Sequence, residues 1–458
     1  MLFHTWAFVL FFLIVYPIYL ALKGTRFRLH WLLAVSYFFY ACFNPLYLIL
    51  IAYSTILDYT VVAVMEKYGR RKLWLSISIV NNLFLLGFFK YAGFITDNLN
   101  VLLSSFNVPY AVPAPDILLP VGLSFYIFQS MSYTIDYYRG NVERERSLIR
   151  YGTFVSLFPR LLAGPIERAK NLLPQLHKKP AVSMQDVSDG LSLFIVGLFK
   201  KVALADYLAL YVDNIYSTPD RFQSPALILA TFLFCWQIYF DFSGYTDMAR
   251  GIARMMGFRL MLNFNNPYLA TSLGDFWSRW HISLSSWFKD YVYIPLGGNR
   301  RGKFNTYRNM FLTMVISGLW HGAAWTFIIW GAVHALGRFC TRELETTPFY
   351  REKVPKIVKQ IFVFAFVTFA WIFFRAESIS DAWIIISRIF TSGFTDPRCS
   401  LLALALIIAV WLYQFAYESR LKWLLELRIV RIGVIILMIL YLALFAPSSQ
   451  QPFIYLQF

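Results

Sequence analysis

Two tryptophan-histidine pairs, Trp280-His281 and Trp320-His321, carry the clearest chemical signal in this 458-residue chain. His321 sits near the middle of a stretch, residues 309–337, that holds no Asp, Glu, Lys or Arg. As one helix that stretch would be ~43 Å long, more than the ~30 Å hydrocarbon core of a bilayer. An ionisable side chain at such depth is costly and reads by default as a functional site. Gly318, Gly322, Ala323 and Ala324 are small neighbours that leave room around its ring. The plainer alternative is a core histidine bonded to a neighbouring helix. Burial disfavours imidazolium, and a neutral imidazole can take the proton of an attacking hydroxyl as a general base. The oxygen so released can attack an activated acyl carbon such as a thioester.

Around the first pair, the polar residues of 274–291 are not arranged as a simple span, and its tryptophans suit a membrane interface. Trp280, Trp320, Arg279 and Ser285 are candidates for lining or supporting a substrate channel. Asp241 and Asp247 fall at the end of an apolar run, where they could polarise a histidine or bind an ion; pairing with Arg250 or Arg254 is the structural alternative. Arg300, Arg301 and Lys303, near Arg308, could hold the phosphates of a nucleotide-like donor, or could simply enforce positive-inside topology. No HExxH, CxxC, GxSxG or Walker-type glycine loop is present. Two histidines 40 residues apart without cysteines nearby make a poor zinc set, so no metal is expected.

The elements that must position these groups are membrane helices. The chain is 58% hydrophobic and 15% charged, where a soluble protein has about a quarter charged residues. Its excess of basic residues, 42 Lys and Arg against 25 Asp and Glu, therefore belongs to cytoplasmic loops before nucleic acid. The four cysteines, Cys42, Cys235, Cys340 and Cys399, have no metal-type spacing and read as structural filler.

The first apolar run, 5–22, has no basic segment before it and Lys23, Arg26 and Arg28 after it. That order predicts a retained helix with its N-terminus outside. Apolar runs at 31–42 and 46–65 flank an outward Asn44-Pro45 break. A basic inside loop (67–72), a run at 73–89, an external Pro-rich stretch (97–116) and a second basic loop (139–150) continue the alternation. Residues 154–166 are apolar but short and hold Arg160, Gly164 and two prolines, which suits a re-entrant or interfacial element. Later spans are expected at 191–211 (interrupted by Lys200-Lys201), 226–240, 361–374, 401–417 and 432–446. Residues 309–337 form one tilted helix, or two halves broken near Gly318 or Gly322. The expected fold is all-α and polytopic, with about ten to twelve crossings, in one domain over 1–458. No internal repeat supports a transporter built from repeated halves.

Several segments together resemble the membrane-bound O-acyltransferase (MBOAT) family, and within it the alginate O-acetyltransferase (AlgI-like) branch. They are 275–285 (Asp-Phe-Trp-Ser-Arg-Trp-His-Ile-Ser-Leu-Ser), 290–300 (Asp-Tyr-Val-Tyr-Ile-Pro-Leu-Gly-Gly-Asn-Arg) and 318–327 (Gly-Leu-Trp-His-Gly-Ala-Ala-Trp-Thr-Phe). Residues 120–126, 163–166 and 452–458 add to the likeness, which spans nearly the whole chain. The D-alanyl transferases of the family share similar histidine contexts, but Ile-Pro-Leu-Gly-Gly-Asn-Arg looks more AlgI-like.

The resemblance implies a ring of helices around a thin centre, with the catalytic core at about 117–340. A cytosolic donor funnel meets an external acceptor funnel there. It implies that His321 is the catalytic histidine and His281 the second active-site position. The donor would be acetyl-CoA or another acyl thioester, used as a substrate with no bound cofactor. The acceptor would be a cell-envelope or exopolysaccharide hydroxyl, reached directly or through an extracytoplasmic SGNH partner of AlgJ or AlgX type. The location implied is the bacterial inner membrane. A proton-coupled or polysaccharide transporter, with His281, His321 and Asp241 along its path, is the reading from another class; it would work without an acyl donor.

Overall fold

In the computed structural model, residues 1–115, 119–395, 397–445 and 451–454 are described; the expected features at 116–118, 396, 446–450 and 455–458 lie outside them. Every regular element among the described residues is helical. Among the described residues, five helices are long and apolar enough to cross a bilayer: Tyr47–Tyr68, Arg71–Ser105, Ser224–Met255, Lys356–Arg375 and Arg428–Phe445. Two shorter apolar helices, Trp6–Leu22 and Leu401–Tyr417, accompany them. The all-helical, polytopic expectation holds. The described residues group into two compact units, Met1–Phe194 with Ala249–Met261, and Ile195–Met248 with Leu262–Phe458.

In the first unit the Thr5 hydroxyl caps Trp6–Leu22 by accepting the Phe8 N–H, satisfying one of the four orphan donors of a helix start. The run expected at 73–89 continues to Ser105, into the stretch 97–116 expected as an external loop, because its glycines, Gly87 and Gly93, are isolated and the first proline is Pro109. The short apolar segment behaves as its prolines require. The helix Leu148–Ser156 stops, and residues 157–166 continue as a buried irregular loop. Unpaired backbone is prohibitive at such a place, and neighbouring side chains satisfy it. Arg160 donates to the carbonyls of Phe154 and Val155, Gln129 donates to that of Phe154 at 2.6 Å, and the Ser36 hydroxyl accepts the Phe158 N–H at 3.1 Å. Asp58, fully buried within Tyr47–Tyr68, is held by Ser78, Asn82 and Ser130.

The second unit carries both tryptophan-histidine pairs. The interruption at Lys200-Lys201 is a π-helical stretch, Phe199–Ala205, between Met184–Leu198 and Asp206–Tyr216. The span expected at 226–240 runs to Met255, so Asp241 and Asp247 lie inside a helix rather than at its end. Each has a lysine partner: Lys201 for Asp241 and Lys200 for Asp247, both at 2.7 Å.

The charge-free stretch is two helices. Gly302–His321 ends at the histidine, Gly322 is extended, and Trp325–Thr346 begins three residues later. The two run antiparallel in close contact. A Cβ on Gly318 would lie 2.1 Å from the Phe327 carbonyl oxygen, and one on Gly331 would lie 2.4 Å from that of Met314. Both distances are too short for any side chain, so glycine is what lets these backbones meet, as at small-residue helix interfaces in membranes. At the open end Lys303 reaches Glu343 at 2.7 Å. This fixes residues 338–356 to the same end as 297–303.

Candidate active site

His321 occupies the turn of that hairpin, 4% exposed. Its ring is edge-on to Trp320, Trp330 and Phe374, with centroids 4.9, 5.1 and 5.2 Å away. Edge-to-face packing at these separations is favourable for aromatic rings, and three such neighbours give the imidazole a dry, low-dielectric surround.

His281 comes from the break between two short helices, Leu273–Arg279 and Ile282–Phe288, and is fully buried. Its backbone is left-handed, φ 40° and ψ 55°, which is uncommon for a residue with a Cβ and persists only where the surroundings hold it. Here they do. The Asn263 carbonyl accepts the Ile282 N–H at 2.9 Å, the Asn263 side chain accepts the Ser283 N–H at 3.2 Å, and the Arg279 carbonyl accepts the Asn265 N–H at 3.0 Å. Phe242 stands edge-on to the His281 ring at 4.6 Å. Burial pushes its imidazole down to about 3, so it is neutral at physiological pH. Trp320 joins the two pairs, with its ring 6.1 Å from His281 and 4.9 Å from His321.

Trp280 is buried against Phe264 at 5.0 Å and Trp371 at 5.1 Å. Ser285 donates to the Trp280 carbonyl at 2.9 Å. Arg279 is engaged by Asp275 at 2.7 Å and Glu418 at 2.5 Å, which makes it a brace for this break. Asp241 faces Lys201.

A cavity of about 280 Å³ is lined by residues of the same helices, although neither histidine is in its lining. Thr313 and Ser317 line it, and with His321 they share one helix face at i, i+4 and i+8. Trp277 and Ser285, four residues either side of His281, line it as well. Its basic wall is Lys289, Arg338 and Arg342, which sequence reasoning did not select because they are distant in the chain. Arg300 and Arg301 are exposed and not on this wall, and Lys303 is held by Glu343.

A third histidine also went unselected. His334 is fully buried, with Trp330 at 4.8 Å and Trp277 at 5.0 Å, and neither ring nitrogen has a hydrogen-bond partner among the described residues. Its signal was available, since it falls in the same charge-free stretch as His321.

Two buried histidines, one at the turn of a hairpin whose arms supply Ser317 and Arg338 to a basic-walled cavity, suit transfer of an acyl group to a hydroxyl. Comparison with known proteins decides the family, because residues 141–379 match the family model described as MBOAT, membrane-bound O-acyltransferase family. The chain belongs to the MBOAT family. It is a multi-pass membrane O-acyltransferase. It is 42% identical to a probable alginate O-acetylase AlgI of Azotobacter vinelandii, over 82% of this chain and 76% of that one. It is 42% identical to another of the same description from Pseudomonas aeruginosa, over 86% and 75%. A peptidoglycan O-acetyltransferase of Helicobacter pylori is 36% identical over 79% and 73%. The MBOAT match spans every residue of the two pairs and of the cavity wall.

Proposed function

We propose that this MBOAT protein moves an acetyl group from a cytosolic thioester, acetyl-CoA, to a hydroxyl of a cell-envelope or secreted polysaccharide. Transfer is direct or passes through an extracytoplasmic acetyltransferase of the SGNH class. The protein is assigned to the bacterial inner membrane with its N-terminus outside. The observation that carries the reading is buried His321 on the helix that gives Thr313 and Ser317 to the cavity, in a chain about 40% identical to polysaccharide O-acetylases.

The donor's acyl end is assigned to the cavity, and its phosphates to Lys289, Arg338 and Arg342, with Arg300, Arg301 and Lys303 as outer contacts. His321 accepts the acceptor hydroxyl's proton as the oxygen bonds to the thioester carbonyl carbon. The carbon–sulfur bond then breaks, and the imidazolium returns that proton to the leaving thiolate. His281, neutral and fixed by its backbone clamp, orients the acyl carbonyl. Arg279, Trp280, Ser285 and Trp320 hold the two histidines in place.

The test is ester-linked acetate on polysaccharide from a deletion strain carrying wild-type protein or His321→Ala at matched levels. Restoration by wild type alone supports the reading. Equal acetate from both removes His321 from the chemistry, and altered secretion without acetate from either points to a transporter.

A further inference from the structure

We infer that Asp241 is a positioning residue: with Lys201 and Asp206 it fastens the segment 451–454 against the aromatic wall of His281. The docking follows from geometry alone; its effect on activity rests on the acyl-transfer reading above.

Lys201 lies in the π-helical stretch Phe199–Ala205, a form that recurs at functional sites. Its ammonium is 2.8 Å from Asp206 and 2.7 Å from Asp241, and all three side chains are nearly inaccessible, at 3%, 2% and 2%. One ammonium balances one carboxylate. The second leaves an excess negative charge in a buried place, which is costly unless hydrogen-bond donors meet it.

Those donors are backbone groups of the segment 451–454. The Ile454 N–H donates to Asp241 at 2.7 Å, and the Gln451 backbone bonds Asp206. Between them Phe453 is buried, stacked on Tyr245 at 4.7 Å and 5.9 Å from Phe242. Phe242 is the ring edge-on to His281. Asp241 and its neighbours Phe242 and Tyr245 thus grip the segment by its backbone and its ring together. If neutralising Lys201 were the whole purpose, Asp206 alone would serve. The additional carboxylate is matched to the segment's N–H.

The test compares Asp241→Leu with Asp241→Asn. Either leaves Lys201 and Asp206 as a balanced pair, so the fold is expected to hold; the asparagine keeps a carbonyl oxygen for the Ile454 N–H and the leucine does not. Ile454→Cys, in a background with Cys42, Cys235, Cys340 and Cys399 replaced by serine, reports docking through labelling by a membrane-permeant maleimide. Acetate transfer is measured on the same membranes. The leucine variant is expected to label at least tenfold faster and to transfer at least tenfold less acetate, with the asparagine variant close to the parent in both.

The inference is overturned if the parent reporter already labels freely, if the leucine variant stays protected or stays active, or if asparagine behaves as leucine does. If the parent transfers no acetate, the function proposed above has failed, and labelling still decides the docking.

Discussion

Trp320 packs its ring 6.1 Å from that of His281, although the two are far apart in sequence. Because Trp320 is bonded to His321 and touches its ring as well, one indole sets the spacing of both histidines. A change at Trp320 therefore disturbs the pair and not one member.

His321→Ala is expected to lower acetyl transfer by at least about 100-fold, the lower end of what a positioned general base contributes, with the protein still inserted. Ester acetate per unit of membrane-inserted protein measures it.

His281→Asn is expected to fold better than His281→Val. The backbone there is left-handed, and asparagine tolerates that region where a β-branched residue does not. On the proposed mechanism both are expected to lose activity in part, since carbonyl orientation would be impaired while His321 remains. Thermal inactivation in detergent separates the two variants.

Acid is expected to destabilise the second unit through His281. Its folded value, about 3, lies below the ordinary 6.5, so between those values the unfolded chain binds the extra proton. The stability is fully present above about pH 6.5 and falls as pH drops toward 3, by about 1.4 kcal/mol per pH unit inside the window. Unfolding midpoints measured from pH 7 to 4 should flatten in His281→Phe relative to the parent; parallel curves would refute the assignment.

Gly318→Ala is expected to cost about 1–3 kcal/mol or more, as overpacked sites do, because its Cβ would meet a backbone oxygen rather than a movable side chain. The loss should appear as a lower unfolding temperature together with reduced activity, since the hairpin turn carries His321.

Arg338→Ala and Lys289→Ala are expected to raise KM for acetyl-CoA about tenfold with little change in kcat, the signature of lost ground-state binding. Equal loss in kcat would place these residues at the chemistry rather than on the donor.

Much of this was legible in the sequence. The helix Leu401–Tyr417 has the limits its apolar run implies, and the break at Lys200-Lys201 is the π-helical stretch. His321 stood out because charge-free surroundings make an ionisable group conspicuous, and His281 because it repeats the Trp-His pair. The helix through Asp241 and Asp247 was read too short, because a carboxylate looks like an end until its lysine partner, some 40 residues earlier, is known. The turn at Gly322 was one option beside a single tilted helix and a break near Gly318, and it goes with glycine contacts across the hairpin that no local pattern encodes. The cavity's basic wall combines Lys289 with Arg338 and Arg342 from the second hairpin arm, a grouping that exists only after folding.

The rings around His321 also bear on a reaction that must not happen. A thioester held beside a general base is open to hydrolysis, and any water reaching that base would discharge the acyl group with nothing to show for it. Trp320, Trp330 and Phe374 turn mostly carbon toward the imidazole, so that only the indole N–H groups give water a place to bond. On the mechanism proposed above, the sleeve would tie cleavage of the donor to the arrival of a sugar hydroxyl, and a smaller side chain at any of the three would open a leak that consumes the acyl donor without acceptor.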